Sequence, residues 1–188
     1  MNRRFFAFLL LIGIAGVILF TATAAKSGND KKEVRFYKGT ALSSINDFRE
    51  NSIKGPQSVK IDGYSLEITG KVKQPRKYTY QEVMAGYKPV EKVIRMYCVE
   101  GWKLDLLWEG IPLKELLNDA GILPGAKTVI FHSIDGYTTS IELDYVLKHN
   151  LILAYKINGL VLPPERGFPF QVAAEGNGDI NGRNGYKR

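Results

Sequence analysis

The chain is poor in the residues that most often hold metals: it has one cysteine and two histidines in 188 residues. A lone Cys98 closes no intrachain disulfide and builds no four-thiolate metal site. No Cys-x-x-Cys-His run is present, and iron–sulfur clusters need more thiolates than this. His132 and His149 do not make a convincing haem pair, so any redox chemistry here passes its electrons elsewhere. There are no repeats of about 20–50 residues, which excludes solenoids and propellers. The 26 Lys and Arg are scattered, with no basic helix interleaved with aromatics, so the formal charge of +7 does not mark a nucleic-acid binder. What remains is an ordinary globular composition, 45% hydrophobic and 24% charged. It suits one cored domain with a short appendage.

The appendage is N-terminal. Arg3 and Arg4 precede an apolar run from Phe5 to Phe20, Ala22-Thr23-Ala24 offers small residues for cleavage, and residues 26–32 are polar. That is the layout of an export signal. The run of about 16 residues approaches the roughly 20 that span a bilayer, so a retained anchor over residues 5–25 is the other reading. The expected organisation is residues 1–25 as signal or anchor, 26–33 as linker and 34–188 as the functional domain, outside the cytoplasm. Arg3-Arg4-Phe5-Phe6 also resembles a twin-arginine signal, which exports folded proteins. In an oxidising compartment an exposed thiol is soon oxidised, so Cys98 is expected to be buried or ligated.

Within the domain, alternation predicts strands at 34–37, 64–70, 93–98, 102–108, 128–133, 137–143, 151–157 and 168–173. Helices are predicted from Thr40 (Leu42, Ile45 and Phe48 at helical spacing), over 79–85, after Pro112 as far as Gly121, and from an Asp144 cap to about Asn150. Asp135-Gly136 reads as a two-residue hairpin turn and Asn158-Gly159 as a second turn. Short strands with a few short helices make an α+β, β-rich single domain.

Cys98 lies in Arg95-Met96-Tyr97-Cys98-Val99-Glu100-Gly101-Trp102, with Trp108-Glu109-Gly110-Ile111-Pro112-Leu113 close behind. By composition alone it is a buried thiol, or one thiolate offered to a metal. These two stretches, with Ile68-Thr69-Gly70, Asp135-Gly136-Tyr137 and Leu162–Pro169, run in the order found in the sulfite oxidase family. The chain resembles these molybdopterin-dependent oxidoreductases, most closely the branch of the periplasmic methionine sulfoxide reductases. The resemblance spans roughly residues 48–175 and implies the sulfite oxidase-type molybdopterin-binding fold.

It further implies a molybdenum–molybdopterin cofactor with Cys98 as metal ligand and catalytic centre, a soft thiolate suiting that metal. Asn51 and Lys54 match an early turn that contacts the cofactor, and Ser133 a hydroxyl contact 35 residues beyond Cys98. Relatives commonly carry Asn or His where this chain has Arg166, and Arg where it has Gln171; either residue here is a cofactor candidate. Lys187, in Gly185-Tyr186-Lys187, is a candidate phosphate clamp. Seven residues, 177–183, precede that clamp where relatives turn tightly, and the closing strand of relatives is missing, so the domain is expected to be altered or truncated at its C-terminus. The implied activity is oxygen-atom transfer on a small sulfur oxo-compound or a protein methionine sulfoxide, served by a separate, membrane-bound haem protein. The competing expectation is an exported, non-catalytic binding domain that keeps only the scaffold. Arg95, three residues before Cys98, is read either as a substrate contact or as an exposed strand residue.

Overall fold

The computed structural model describes residues 32–47, 52–97 and 103–174, all within the unit Lys31–Arg188. Expectations for residues 1–31, for Asn51, Cys98 and Trp102, and for the 175–188 segment with Lys187 therefore lie outside the described residues. No helix among the described residues is long and apolar enough to cross a membrane.

The order of elements is β1 (Phe36–Tyr37), β2 (Thr40–Ala41), β3 (Ser65–Ile68), β4 (Arg76–Thr79), α1 (Tyr80–Gly86), β5 (Val90–Tyr97), β6 (Lys103–Pro112), α2 (Leu113–Ala120), β7 (Thr128–His132), β8 (Thr138–Glu142), α3 (Leu143–Lys148), β9 (Ile152–Ile157), β10 (Leu160–Val161) and β11 (Gln171–Ala173). A five-stranded antiparallel sheet runs β10-β9-β6-β5, with β11 also paired to β9. Three two-stranded hairpins, β1–β2, β3–β4 and β7–β8, surround it.

Both faces of the central sheet are covered, which is why β9 (Ile-Leu-Ala-Tyr-Lys-Ile) reads as almost continuously apolar. On one face Ile94, Leu104, Leu106, Trp108, Ile152, Ala154, Ile157, Leu162 and Ala173 form a layer, with Met96 packed against it. On the other face Ile111, Leu153 and Tyr155 meet Val83 of α1, Leu113 and Leu116 of α2, and Val146 of α3. Each fully buried aliphatic side chain contributes on the order of 1.5–3 kcal/mol. The two faces exchange along β9 through a bulge, so that Ile152 and Ala154 share a layer with Ile157. Glu109 pairs with Lys156 but Gly110 pairs with Ala154, so Tyr155 is the extra residue. A bend in the ladder brings strands close, and only glycine fits at 110.

Caps place the helices. Thr79 and Glu82 form a reciprocal capping box that starts α1. Gly121, at φ 73°, closes α2 with left-handed backbone.

Three expectations are corrected. Residues 40–47 hold no helix: Thr40–Ala41 is strand β2, and Leu42 and Ile45 reach the core from a turn. Ile45 N–H, which such a helix would have used internally, is taken by Glu33 (2.7 Å), and Ser43 N–H is held by the Asp105 carbonyl (2.8 Å). The β7–β8 turn takes three residues rather than two. Gly136 N–H closes on the Ser133 carbonyl and Gly136 adopts φ 89°, a type I turn followed by a bulge. Helix α3 starts at Leu143 with no side-chain cap, and Asp144 sits in its first turn.

The 33–47 arm is fastened by polar groups. Asn158, fully buried, accepts from Leu107 N–H at 2.9 Å and donates to Glu33 and to the Ser43 carbonyl, each at 2.8 Å. Asn158→Ala is expected to cost about 2–4 kcal/mol, because the Leu107 and Ser43 backbone groups are left buried and unpaired. A chemical denaturation midpoint within error of wild type would contradict this. Burial pushes the Glu33 carboxyl up, but hydrogen bonds from Asn158, Ile45 and Ser44 and the charge of Arg35 outweigh it and leave it lowered. Its contribution is therefore complete above the ordinary glutamate range, about 4.3, and is lost as pH falls through the lowered folded value. Glu33→Gln should flatten the acid limb of a stability–pH profile; an unaltered limb would show the carboxylate to be idle.

Candidate functional site

The β5–β6 hairpin is the scaffold around the cysteine. Its strands pair in register from Val90↔Gly110 to Tyr97↔Lys103, so residues 98–102 connect them. Ile94 and Met96 of β5 contact the Trp108 layer. Cys98 itself lies outside the described residues. Among the described residues no group of three His, Cys, Asp or Glu could hold a metal ion.

Gln171 reaches the same layer. It pairs with Ala154, and Ala173, two residues on, pairs with Ile152, all facing that side of β9. Gln171 Oε1 is buried without a hydrogen-bond partner among the described residues, and so is the indole Nε1 of Trp108 in the same layer. An acceptor and a donor left unpaired in an apolar layer each cost about 1–3 kcal/mol, and native structures rarely leave such groups unexplained. Gly167, at φ 82°, lies against Gln171; a Cβ there would stand 3.3 Å from the Gln171 Cβ. An unpaired acceptor and an unpaired donor are groups that the N–H donors and ring acceptors of a pterin would complement.

Lys54 and Ser133 come together at the β7–β8 turn. A Cβ on Gly136 would lie 3.8 Å from the Lys54 ammonium, and Gly136 N–H bonds the Ser133 carbonyl at 3.0 Å. Lys54 and Ser133 are both exposed. A cation and a hydroxyl on one rim suit a phosphate. The turn is fixed by a carboxylate that the sequence marked as part of the turn and of a matching stretch, but not as a site residue. Asp135, 8% exposed, accepts from Ile53 N–H at 3.2 Å and from Tyr137 N–H at 2.9 Å.

Arg166, expected as a cofactor candidate, and Arg95 are both engaged within the chain. Arg166 donates to the Ile45 carbonyl at 3.0 and 3.2 Å and to the Glu165 carbonyl at 3.3 Å, tying its 3-10 turn to the N-terminal arm. Arg95 forks onto Asp105 at 2.7 and 2.8 Å, and these bonds hold the Asp105 carboxyl below its ordinary value. Arg76 binds Asp119, and Arg35 binds Glu33 and the Leu42 carbonyl. His132 is exposed, and the His149 ring stacks on Tyr145 at 4.0 Å.

Residues 53–178 match the family described as oxidoreductase molybdopterin binding domain. The uncharacterized oxidoreductase YuiH of Bacillus subtilis (strain 168) is 35% identical over 109 residues, 57% of this chain and 54% of that protein. The protein-methionine-sulfoxide reductase catalytic subunit MsrP of Gluconobacter oxydans (strain 621H) is 32% identical over 126 residues, 58% of this chain and 40% of that protein. The sulfane dehydrogenase SoxCD from Paracoccus pantotrophus superposes with a TM-score of 0.59 at 21% identity over 63% of this chain and 35% of that one, a likeness of fold. The chain spans about half the length, or less, of these curated relatives. A strand-rich α+β domain with this match belongs to the oxidoreductase molybdopterin binding domain family, enzymes that use molybdenum–molybdopterin.

Proposed function

We propose that this domain catalyses oxygen-atom transfer on a neutral sulfoxide, methionine sulfoxide in particular, with the Cys98 thiolate as the protein's ligand to molybdenum. The observation that carries the choice of substrate is the arginine inventory. All four described arginines, Arg35, Arg76, Arg95 and Arg166, are engaged within the chain. Moving a sulfite dianion out of water would need unspent cationic groups around it. Gln171 instead offers a neutral amide, which suits an uncharged S=O compound or the pterin ring. The name of the matched reductase points the same way.

When bound, the cofactor supplies the oxygen-atom transfer and the two-electron change. The chain's own groups do the rest. Lys54 and Ser133 hold the phosphate, with Asn51 and Lys187 as further contacts. Gln171 orients the heterocycle through its amide, and Arg166 keeps the 3-10 turn beside Gln171 seated on the arm. Electrons come from a separate haem-bearing protein at the membrane. The N-terminal layout of Arg3, Arg4 and the Phe5–Phe20 run supports action outside the cytoplasm.

The test is protein made in a cofactor-competent host, assayed for molybdenum and pterin and then for dye-driven turnover. Sulfoxide reduction with little sulfite oxidation is the expected result. Preference for sulfite would overturn the choice of substrate.

A further inference from the structure

We propose that Asp135 is a positioning residue for the cofactor's phosphate, acting through Lys54. The inference rests on the reading of Lys54 given above and goes beyond it in naming what holds that lysine in place.

Asp135-Gly136 satisfies the demands of a hairpin turn without any longer-range role, and in most hairpins an aspartate here is solvated. In this chain it is buried, with both carboxylate oxygens in use. One oxygen serves the turn itself, through Tyr137 N–H two residues on. The other crosses 82 residues of sequence to Ile53 N–H, the amide immediately before Lys54.

The crossing is not a by-product of apolar packing. The Ile53 side chain is 63% exposed and Lys54 and Pro56 are exposed, so this stretch is not drawn down by burial. The Gln57 side chain closes the segment locally, donating to the Gly55 carbonyl at 2.9 Å. A preformed turn is thus clasped to the hairpin by a charge-assisted bond to its backbone. The clasp sets the root of Lys54, and the ammonium then stands beside Gly136, 3.8 Å from where a Cβ would lie. A lysine has a flexible four-carbon stem. Fixing its backbone removes part of the entropy an ion contact must otherwise overcome.

Asp135→Asn separates the two jobs. An asparagine keeps an acceptor for Tyr137 N–H but turns an NH2 group, or nothing, toward Ile53. The variant should fold, with a melting temperature close to wild type, while purified holoprotein releases pterin about tenfold faster on dilution, the scale on which supporting residues affect metal-site affinity. Release is followed by pterin fluorescence, which does not depend on turnover. Lys54→Ala should show a similar increase, and the Asp135→Asn, Lys54→Ala double variant should release no faster than Lys54→Ala alone. That non-additivity is what a merely structural role would not produce.

Release from Asp135→Asn at the wild-type rate overturns the proposal, as does strict additivity in the double variant. If Asp135→Asn proves unstable, Asp135→Ser, which keeps a short acceptor for the turn, serves in the same cycle with the same criteria. Wild-type protein that holds no pterin at all would overturn the cofactor reading and this proposal with it.

Discussion

Replacing Cys98 by serine should empty the protein of molybdenum, from roughly one atom per chain to near zero, while leaving the fold intact. The reasoning is chemical. A thiolate is a soft anionic ligand that is readily deprotonated in the presence of a metal. A serine hydroxyl is a hard ligand that stays protonated at neutral pH, and molybdenum held among sulfurs has little use for it. No other residue can substitute, because Cys98 is the chain's one cysteine. Elemental analysis of wild type and Cys98→Ser, prepared side by side, measures the effect directly. Far-ultraviolet circular dichroism verifies that the loss is not unfolding. Molybdenum retained in full by the serine variant would remove Cys98 from the metal site. A wild-type protein that is itself metal-free would leave only a binding scaffold.

The second large effect is expected at a residue with no chemistry. A Cβ on Gly110 would collide with the Leu153 carbonyl oxygen and stand 2.5 Å from Ala154 Cα and 2.7 Å from the Leu153 carbonyl carbon. All are backbone atoms of the adjacent strand β9, so no side chain can rotate away. Relief requires β6 and β9 to part beside the bulge, where Ile111 and Leu153 lie in the core. Gly110→Ala should therefore destabilise the domain by about 3 kcal/mol or more. For a domain of this size that is a fall in melting temperature of roughly 6–12 °C. Gly86→Ala is the control. Nothing lies within 4 Å of a Cβ there, and it ends helix α1, so the change should be near neutral or slightly stabilising. Equal melting temperatures for the two variants would refute the close-approach argument.

Sequence patterning revealed the central architecture wherever one physical signal dominated. The alternation of Leu104, Leu106 and Trp108 marks β6, and the continuous apolar run of β9 reports burial on both faces. The helix expected over 79–85 and the stop at Gly121 match α1 and the end of α2. Two failures have a common cause. Leu42 and Ile45 repeat at helical spacing, yet Glu33 claims the Ile45 donor that a helix would need and the Asp105 carbonyl, distant in sequence, ties Ser43 to the sheet. Strand β4, Arg-Lys-Tyr-Thr, carries no apolar alternation and was missed; it exists because β3 pairs with it residue by residue from Ser65↔Thr79 to Ile68↔Arg76.

The candidate site was legible in the same uneven way. Matching motifs suggested Lys54 and Ser133 separately, and the fold brings both to the same hairpin turn. The Asp135 carboxylate was visible as part of a turn and of a matching stretch, but nothing local signals its bond to a residue 82 positions earlier. Nor does spacing reveal that Arg95 is neutralised by Asp105 on the facing strand, an ion pair set by β-sheet register.

The arm that Asn158 secures has a consequence for how the chain assembles. Glu33 and Asn158 are 125 positions apart, so the arm meets its anchor only after all the intervening residues have been made. Contacts of such long range form late, once the surrounding strands have already paid for loop closure. The arm thus precedes its anchor in synthesis and waits for the sheet in folding.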